Sequence, residues 1–500
     1  RRQRQMCIRD SLRSGRDDAM SFDSHFTGRR LSDPEELKTA LEIPFSDEQL
    51  AAITAPLEPG VIIAGAGSGK TTVMAARVVW LVGTGAVRPD EVLGLTFTRK
   101  AAGELAHRVR TALQSAGVLR EGAADQGEEV IMTYDAFAGR LVAEHGQRIG
   151  AETDPMMISG ATRFRLAEKV VREAPGPFEH LARLRPVTLV QRLLSLDSDL
   201  SSHLVSTDQV RRDGVRVLAE LGQAPLNPRG DVYASVRDAI AAVHERLELL
   251  NLVDAYADLK RRLGMVEFAD QMSLVTQIVR EAPVVGERMR EQFRAVLLDE
   301  YQDTSSAQAM MLQGLFGGVD GCGHPVTAVG DPFQAIYGWR GAAASNILHF
   351  HSDFPRRERS GSVAAHRFQL SVNRRSGARI LHVANELAGP LRQDPLLTVN
   401  EPVEESIPRP LIAPGPANEG EVRVASFEGW PDEADWIADR IVELRSTGRL
   451  SSWSECAVLL RRNADTEALF NALETREVPT EIVGLGGLLD LPEVAAVVDT

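Results

Sequence analysis

Cysteine is scarce in this sequence of 500 residues, which contains three. Cys7, Cys322 and Cys456 stand far apart, with no CxxC pair and no mixed spacing of cysteine and histidine. The sequence therefore indicates neither a disulfide framework nor a structural zinc site. We expect a protein of the reducing cytoplasm.

Long apolar runs are also missing. No segment approaches the roughly 18 apolar residues of a membrane span, and no apolar stretch follows the basic N-terminus. We therefore expect neither membrane association nor secretion. Residues 1–18 are basic and patternless, and we expect residues 1–39 to form a disordered arm outside the fold. A tail that binds nucleic acid is the other interpretation of this charge.

An excess of positive charge is absent as well. The formal net charge is −14 and the isoelectric point is about 5.4. Nucleic-acid-binding domains usually have an isoelectric point above about 9. Net charge does not exclude a basic cleft on an acidic body. The composition, with 43% hydrophobic and 25% charged residues, is that of a globular chain long enough for about three domains.

A phosphate-binding motif stands out among the residues that are present. The stretch VIIAGAGSGKTTVMAARVVWLV predicts a buried strand, a glycine-rich turn and an apolar-periodic helix, which is the context of a P-loop. Lys70 is expected to reach the β- and γ-phosphates of a nucleotide, and the Thr71 hydroxyl to bind Mg²⁺. The residues expected to hold the nucleotide are Ala64, Gly65, Ala66, Gly67, Ser68, Gly69, Lys70, Thr71 and Thr72.

Gln49, upstream of this motif, has two interpretations of about equal weight. It stands three residues after Ser46, a spacing that fits a capping box at the start of a helix. Alternatively, its amide reads the edge of the adenine base.

Two adjacent carboxylates follow a second apolar strand in AVLLDEYQDTSSAQ. At the end of this strand, Asp299 can hold Mg²⁺ through its water shell. Glu300 can then orient and deprotonate the attacking water. Adjacent acids are common on surfaces, but the four preceding apolar residues and the upstream P-loop favour a catalytic role.

Further motifs follow one another along the chain. They are AGAGSGKTT (64–72), LTFTRKAAGEL (95–105), TYDAFAGRL (133–141), LLDEYQDTSSAQ (297–308), VGDPFQAIYGWRGA (329–342) and LSVNRRS (370–376). Together they resemble the UvrD/Rep/PcrA group of superfamily 1 DNA helicases. The stretch LGLTFTRKAAGEL also resembles the corresponding sequence in helicase subunits of actinobacterial AdnAB-type and RecB-like recombination machines. The resemblance implies two RecA-like domains, with ATP and Mg²⁺ between them and single-stranded DNA across their top.

The resemblance also implies residues that contact the DNA. Phe97 matches a ring that packs on a base, although a core position at a strand end is the alternative. Thr98 and Thr133 match contacts to the DNA backbone. Arg99 stands where the family usually has Asn, and its charge could strengthen the backbone contact.

The segment VGDPFQAIYGWRGA joins a phosphate-sensing group to aromatic rings. By resemblance, the Gln334 amide senses the γ-phosphate, and Tyr337 and Trp339 stack on or wedge between bases, which tolerates any sequence. Arg340 fits pairing with the DNA backbone or with another motif. Core or interface packing of the two rings is the alternative.

In LSVNRRS, two arginines take nucleotide roles by resemblance. Arg375 matches the arginine that reaches the γ-phosphate from the second domain. Arg374 replaces the Tyr that usually stacks on adenine, and a planar guanidinium can also stack.

The expected fold is an α/β P-loop NTPase with a RecA-like parallel sheet, a helical insertion and an incomplete second RecA-like domain. We predict a first domain over 40–142 and 286–368, an insertion over 143–285, and a second domain over 369–500. Strands and helices should alternate in EVRVASF, DEADWIADRIVELR, ECAVLLRR, TEALFNALETR and TEIVG. The later family motifs and a nuclease domain do not appear, so we expect an N-terminal fragment of a longer helicase.

Three functions remain open at the level of sequence. The first is an ATP-dependent 3′-to-5′ DNA helicase and translocase, acting on single strands and duplex junctions in repair or recombination, with a second helicase–nuclease subunit as a further partner. The second is a module that binds ATP and single strands without productive turnover. The third is an RNA helicase of the same superfamily, although no feature reads a 2′-hydroxyl.

Overall fold

The computed structural model describes residues 30–119, 130–152, 154–317, 322–338, 341–359, 361–394, 407–415 and 419–483. By their internal contacts, the residues divide into two compact units, Arg1–Gly420 and Glu421–Thr500. Trp339, Arg340 and most of the predicted N-terminal arm lie outside the described residues.

The first unit contains all of the described strands. They are β1 Gly60–Ala64, β2 Val92–Thr96, β3 Val130–Thr133, β4 Met156–Met157, β5 Met265–Val266, β6 Ala295–Leu298, β7 Val326–Gly330, β8 Arg356–Glu358, β9 Gly361–Val363 and β10 His366–Leu370.

Helices surround and connect these strands, and two more helices belong to the second unit. They are α1 Pro34–Leu41, α2 Asp47–Ile53, α3 Lys70–Gly83, α4 Arg99–Ser115, α5 Tyr134–His145, α6 Gly160–Glu173, α7 Pro186–His203, α8 Thr207–Leu221, α9 Ala234–Arg262, α10 Phe268–Glu281, α11 Val284–Gln292, α12 Ser306–Phe316, α13 Ser345–Asp353, α14 Ala378–Leu387, α15 Gly389–Arg392, α16 Trp430–Ser446 and α17 Thr466–Thr475. Among the helices described here, none is both long and apolar enough to cross a membrane.

A six-stranded sheet in the order β10-β1-β7-β6-β2-β3 forms the centre of the first unit. Every neighbouring pair in it is parallel. Parallel strands need crossover connections, which here are supplied by helices on both faces. This confirms the predicted α/β class with a parallel sheet.

Alternation along the strands distributes the apolar residues between two cores. In β1, Val61 and Ile63 face one core, whereas Ile62 and Ala64 face the other. Successive side chains of a strand point to opposite faces, so a strand covered on both sides must be apolar throughout. The five residues of β1 are accordingly all buried.

The predicted insertion is helical and has a core of its own. Residues from α6, α7 and α9 form this core, including Leu193, Leu252 and Tyr256. The later helix α10 instead contributes Met272, Val275 and Ile278 to a core beside the central sheet.

The second unit confirms two predicted helices but not the predicted strands. Helices α16 and α17 form where the apolar periodicity placed them and pack together around Ala438 and Leu473. Within the part of this unit that the structure describes, EVRVASF and ECAVLLRR form no strand. A strand needs a neighbour for its main-chain hydrogen bonds, and Val424 and Leu459 are each 94% exposed. The strand pattern of the sequence therefore lacks a pairing partner here.

Candidate nucleotide and nucleic-acid site

The predicted site segments lie where strands of the central sheet end. Because these strands are parallel, their carboxyl ends lie along one edge, which is where open α/β sheets bind ligands. The residues that end or follow the six strands are Gly65, Phe97, Thr133, Asp299, Asp331 and Ser371. The sheet topology thus brings together motifs that are far apart in the sequence.

The P-loop connects β1 to α3, which begins at Lys70. Gly67 has a φ of 67°, and a Cβ at this position would lie 2.6 Å from Asn373 Nδ2, so both the backbone and the neighbouring segment require glycine. The buried Ser68 hydroxyl donates to the Gly65 carbonyl at 2.7 Å and holds the loop closed. The unpaired N–H groups at the start of α3 can then bind phosphate.

Gln49 holds α2 against the P-loop. Ser46 and Gln49 form the predicted capping box, which confirms the structural interpretation of this glutamine. Its Nε2 also donates to the Ser68 carbonyl at 2.9 Å, and the side chain is buried. Both ends of the amide therefore have protein partners, and recognition of adenine by Gln49 stays a prediction.

Asp299 is a buried carboxylate at the end of β6. Tyr134 donates its hydroxyl to the Asp299 carbonyl at 3.0 Å, and Oδ1 of Asp299 accepts from the Glu300 N–H at 3.0 Å. Burial, followed by the charge of Glu300, raises the pKa of Asp299 to about 6, against the opposing charges of Lys70 and Arg108. A nearby cation would favour the ionised form of this carboxylate.

Glu300 combines a strained backbone with an ion pair to the P-loop. Its φ of 47° and ψ of 44° lie in the left-handed region, which non-glycine residues rarely adopt and which is often found at functional sites. Its Oε2 lies 3.6 Å from Lys70 Nζ. The backbone strain therefore accompanies a carboxylate that faces the P-loop lysine.

A short turn after β7 holds Gln334. The turn spans Pro332–Gln334, and Asp331 caps it by accepting the Phe333 N–H at 3.0 Å. Gln334 Nε2 donates to Asp331 Oδ2 at 2.7 Å. The predicted γ-phosphate sensor is thus held by a carboxylate at the same edge of the sheet.

Tyr337 comes three residues after Gln334 and is half-buried. Its ring lies against that of Phe97, with 4.7 Å between the ring centroids. Phe97 itself lies just beyond the buried residues of β2. Two of the rings expected to contact bases are therefore neighbours, although they come from different loops.

Two threonines cap neighbouring helices at the same edge. Thr98 accepts from the Ala101 N–H at the start of α4, and Thr133 accepts from the Ala136 N–H at the start of α5. Arg99 is the exposed first residue of α4. Helix N-termini and an arginine together suit a phosphate backbone.

The segment after β10 contacts the P-loop directly. The buried Asn373 donates to the Ala66 carbonyl at 2.6 Å, and its Oδ1 accepts from the N–H groups of Arg375 and Ser376, both at 2.8 Å. The Arg374 N–H donates to the Gly67 carbonyl at 2.9 Å. The predicted arginine pair is thereby placed beside the phosphate loop.

Both arginine side chains of this pair are exposed. The Arg374 guanidinium donates to the Pro44 carbonyl at 2.8 Å, just before α2. A Cβ added to Gly67 would lie 2.9 Å from the Arg375 Cβ, so Arg375 starts beside the P-loop. These placements fit the nucleotide roles that were expected.

Comparison with protein families agrees with this arrangement. Residues 45–355 match the UvrD/REP helicase N-terminal domain. The chain belongs to the UvrD/REP helicase family. Residues 368–498 match the UvrD-like helicase C-terminal domain, so the family match extends into the second unit.

Named relatives of this UvrD/REP family member are bacterial DNA helicases. DNA helicase II of Escherichia coli is 26% identical over 439 residues, which cover 88% of this chain and 51% of that protein. The ATP-dependent DNA helicase PcrA of Leuconostoc citreum is 29% identical over 442 residues, covering 88% and 50%. PcrA of Bacillus subtilis is 26% identical over 459 residues, covering 90% and 51%. The chain thus spans about half the length of these relatives.

Sequence reasoning did not single out three residues that organise the site of this UvrD/REP family member. Gln302 joins the carboxylate segment to the turn after β7. Asn373 holds the P-loop, and Arg77 fixes the end of α2 by donating to main-chain carbonyls. Arg77 is the one charged residue of α3 after Lys70, in an otherwise apolar stretch, and this was a usable signal. The sequence around Gln302 and Asn373 gave no comparable signal.

Proposed function

We propose that this chain is the motor part of an ATP-dependent DNA helicase and translocase. It moves 3′ to 5′ along single-stranded DNA in the cytoplasm and opens duplex junctions during repair or recombination. One observation supports the proposal: segments expected to contact the nucleotide and the strand follow strands of one sheet at the same edge, and one short loop connects Gln334 to Tyr337. A single movement at this edge can therefore affect both ligands.

The residues at this edge suit ATP with Mg²⁺. The described residues contain no group of three or more histidine, cysteine or acidic side chains that could hold a metal ion by themselves. Mg²⁺ usually takes one or two carboxylates and completes its shell with phosphate and water. Thr71 and Asp299 would hold it, and the ion would neutralise charge on the transferred phosphoryl group.

The protein groups would then divide the work of hydrolysis. The P-loop and Lys70 bind the phosphates, and Glu300 accepts a proton from the attacking water. Gln334 and Arg375 contact the γ-phosphate from two further segments. Arg374, near Pro44, covers the base.

Single-stranded DNA would cross the same edge beside Phe97 and Tyr337. Stacking on aromatic rings is independent of base identity, as a motor requires. Thr98, Arg99 and Thr133 would contact the phosphates. Trp339 and Arg340 complete this surface in the proposal.

The finer assignments rest on resemblance. The 3′-to-5′ direction follows from the resemblance to the UvrD/Rep/PcrA group. A second helicase–nuclease subunit is proposed only because the sequence of residues 93–105 resembles AdnAB-type helicase subunits. The division into domains is also a proposal, with a first domain over 40–142 and 286–368, an insertion over 143–285 and a second domain over 369–500. The central sheet itself continues through Leu370.

ATP hydrolysis with and without single-stranded DNA tests the proposal. We expect the strand to stimulate hydrolysis, and Glu300→Gln to lower the rate by about 100-fold or more because the general base is lost. Nucleotide and strand binding without turnover would instead support the binding module. Equal stimulation by matched RNA would support the RNA helicase.

A further inference from the structure

Gln302 lies between the segment that carries Glu300 and the loop that carries Gln334, and it uses both ends of its amide. It is 1% exposed. Its Nε2 donates to Glu300 Oε2 at 2.8 Å and to Asp303 Oδ2 at 3.1 Å. Its Oε1 accepts from the Asp331 N–H at 3.1 Å. One side chain therefore connects the carboxylate expected to activate water with the start of the loop that carries Gln334.

The packing around Gln302 fixes this position. The end of β7 passes so close that a Cβ on Gly330 would lie 2.2 Å from Gln302 Oε1 and 2.8 Å from Ile347 Cδ1. Glycine at 330 thus permits the contact between the amide and the loop. Because the amide is buried, each of its three hydrogen bonds would be costly to leave unmade.

The connection continues beyond Asp331. Asp331 Oδ2 accepts from Gln334 Nε2 at 2.7 Å, and Asp331 Oδ1 caps the turn that leads to Tyr337. A chain of hydrogen bonds therefore runs from Glu300 through Gln302 to Gln334.

The far end of the same loop is attached to the same segment. The Ala343 N–H donates to the Thr304 carbonyl at 3.0 Å, and Asn346 Nδ2 donates to that carbonyl at 2.9 Å. Ser305 and Ala342 form an isolated bridge. Both ends of the loop from Asp331 to Ala342 are thus bound to residues 302–305, so a displacement of that segment moves both ends of the loop.

We propose that Gln302 is a positioning residue that transmits the state of Glu300 to the loop of Gln334 and Tyr337, so that nucleotide occupancy sets the affinity for single-stranded DNA. The inference rests on the proposed function. Gln302 needs no contact with nucleotide or strand to act in this way. Its effect appears in the coupling between the two ligands.

The test measures the affinity of the intact chain for a fluorescent oligothymidylate, with and without Mg²⁺ and a non-hydrolysable ATP analogue. Coupling between two sites typically changes affinity by about 5- to 150-fold. We expect a change of about 10-fold in the parent and of less than about 2-fold in Gln302→Met, which keeps the side-chain length but removes all three hydrogen bonds of the amide.

Two further variants separate positioning from folding. Gly330→Ala pushes on the Gln302 amide from the other side and should weaken the coupling in the same way. Gln369→Met is the matched control, because this half-buried glutamine also uses both ends of its amide, donating to the Ile407 carbonyl and accepting from the Arg409 N–H, and it lies outside residues 302–305. We expect its coupling to equal that of the parent.

Each outcome decides the inference. Parent-like coupling in Gln302→Met and Gly330→Ala overturns it, as does equal loss in Gln369→Met. A parent whose strand affinity ignores nucleotide also overturns it, because no coupling would exist to transmit. Hydrolysis measured in parallel reports on the proposed function separately, since a parent with coupled affinities but no turnover would contradict the motor and leave the role of Gln302 supported.

Discussion

The rings of Phe97 and Tyr337 lie 4.7 Å apart between centroids, with their planes tilted by 32°. Phe97 follows β2, whereas Tyr337 belongs to the loop after β7, so the pair joins two motifs of the sheet edge. An aromatic pair at this position offers a face on which a nucleic-acid base can stack.

Removal of one ring should weaken strand binding. Base stacking contributes on the order of 1–3 kcal/mol per base, so Tyr337→Ala should raise the Kd for single-stranded DNA by about 5- to 150-fold. Because the rings touch, Phe97→Ala in the same background should add less than its separate effect. Fluorescence anisotropy with a labelled oligonucleotide measures both.

The second unit supplies a control for this prediction. Phe427 and Trp436 also form a ring pair, with centroids 5.5 Å apart, and Trp436 is 40% exposed. Trp436→Ala should leave the strand Kd unchanged. Equal losses for Trp436→Ala and Tyr337→Ala would argue against a specific base-stacking role.

Neutralising Asp299 should stabilise the chain in a pH-dependent way. The pKa of Asp299 in the folded chain is raised to about 6, above the ordinary value of about 4. The folded chain therefore holds this proton more tightly, and its stability falls as pH rises from about 4 to about 6. Asp299→Asn avoids that loss, so its advantage should grow across this window to at most about 3 kcal/mol and stay constant above it.

Thermal unfolding from pH 4 to 8 measures the difference between Asp299→Asn and the parent. The exposed Asp432→Asn is the control and should show no such growth. At the same time, Mg²⁺-dependent hydrolysis by Asp299→Asn should be lost, because the amide cannot replace the carboxylate charge. An advantage independent of pH would contradict the raised pKa.

Arg77 should be hard to replace even by lysine. It is buried, and its guanidinium donates hydrogen bonds to Thr327 Oγ1 and to main-chain carbonyls at the end of α2. Those carbonyls belong to Ala52, Ile53, Ala55 and Pro56. Burial lowers the pKa of Arg77 to about 10, so it stays charged at neutral pH. Lysine cannot reproduce the planar set of donors, and Arg77→Lys should lose about 2 kcal/mol of unfolding free energy.

Urea unfolding of Arg77→Lys beside Arg88→Lys tests this. Arg88 has a side chain 54% exposed, and its replacement should change the unfolding free energy by less than about 0.5 kcal/mol. Similar unfolding midpoints for the two variants would show that the buried guanidinium is not required.

A buried ionic group should control the stability of the helical insertion. Lys260 Nζ lies 3.0 Å from Asp197, 2.9 Å from Asp270 and 3.3 Å from Glu267. Lys260→Met leaves Asp197 and Asp270 without this counter-charge, while Glu267 keeps its ion pair with Arg163, and the change should cost about 3–5 kcal/mol. Adding Asp197→Leu removes one of the stranded carboxylates and should recover part of that loss.

Differential scanning fluorimetry of the single and double variants measures the effect. A double variant less stable than Lys260→Met alone would contradict the account, since removal of an uncompensated buried carboxylate should help. Lys38→Met is the control, because Lys38 pairs with the exposed Glu35 at the surface and should contribute less than about 1 kcal/mol.

Local patterns predicted the central motifs well. The apolar run before Gly65 and the periodic helix after it define the P-loop without any long-range information, and the four apolar residues before Asp299 define the second strand in the same way. The same reasoning was wrong for the strands in EVRVASF and ECAVLLRR. Their apolar residues suit a strand, but pairing needs a neighbour that local sequence cannot supply.

The residues that sequence reasoning missed act over long separations. Gln302 bonds the main chain 29 residues away, Arg77 bonds Thr327 across 250 residues, and Asn373 bonds Ala66 across 307. A lone polar residue looks the same whether its partner is solvent or a distant loop. Only the fold distinguishes these cases.

The sequence alone determined the phosphate loop, the strand-end carboxylates, the α/β class and the family resemblance, because each depends on short-range spacing and alternation. The tertiary structure decided which of these groups meet. Parallel pairing in the order β10-β1-β7-β6-β2-β3 places six strand ends along one edge. Burial then raised the pKa of Asp299 and made the contacts of Gln302 costly to lose, because the cost of removing a polar group from water depends on what surrounds it in the fold.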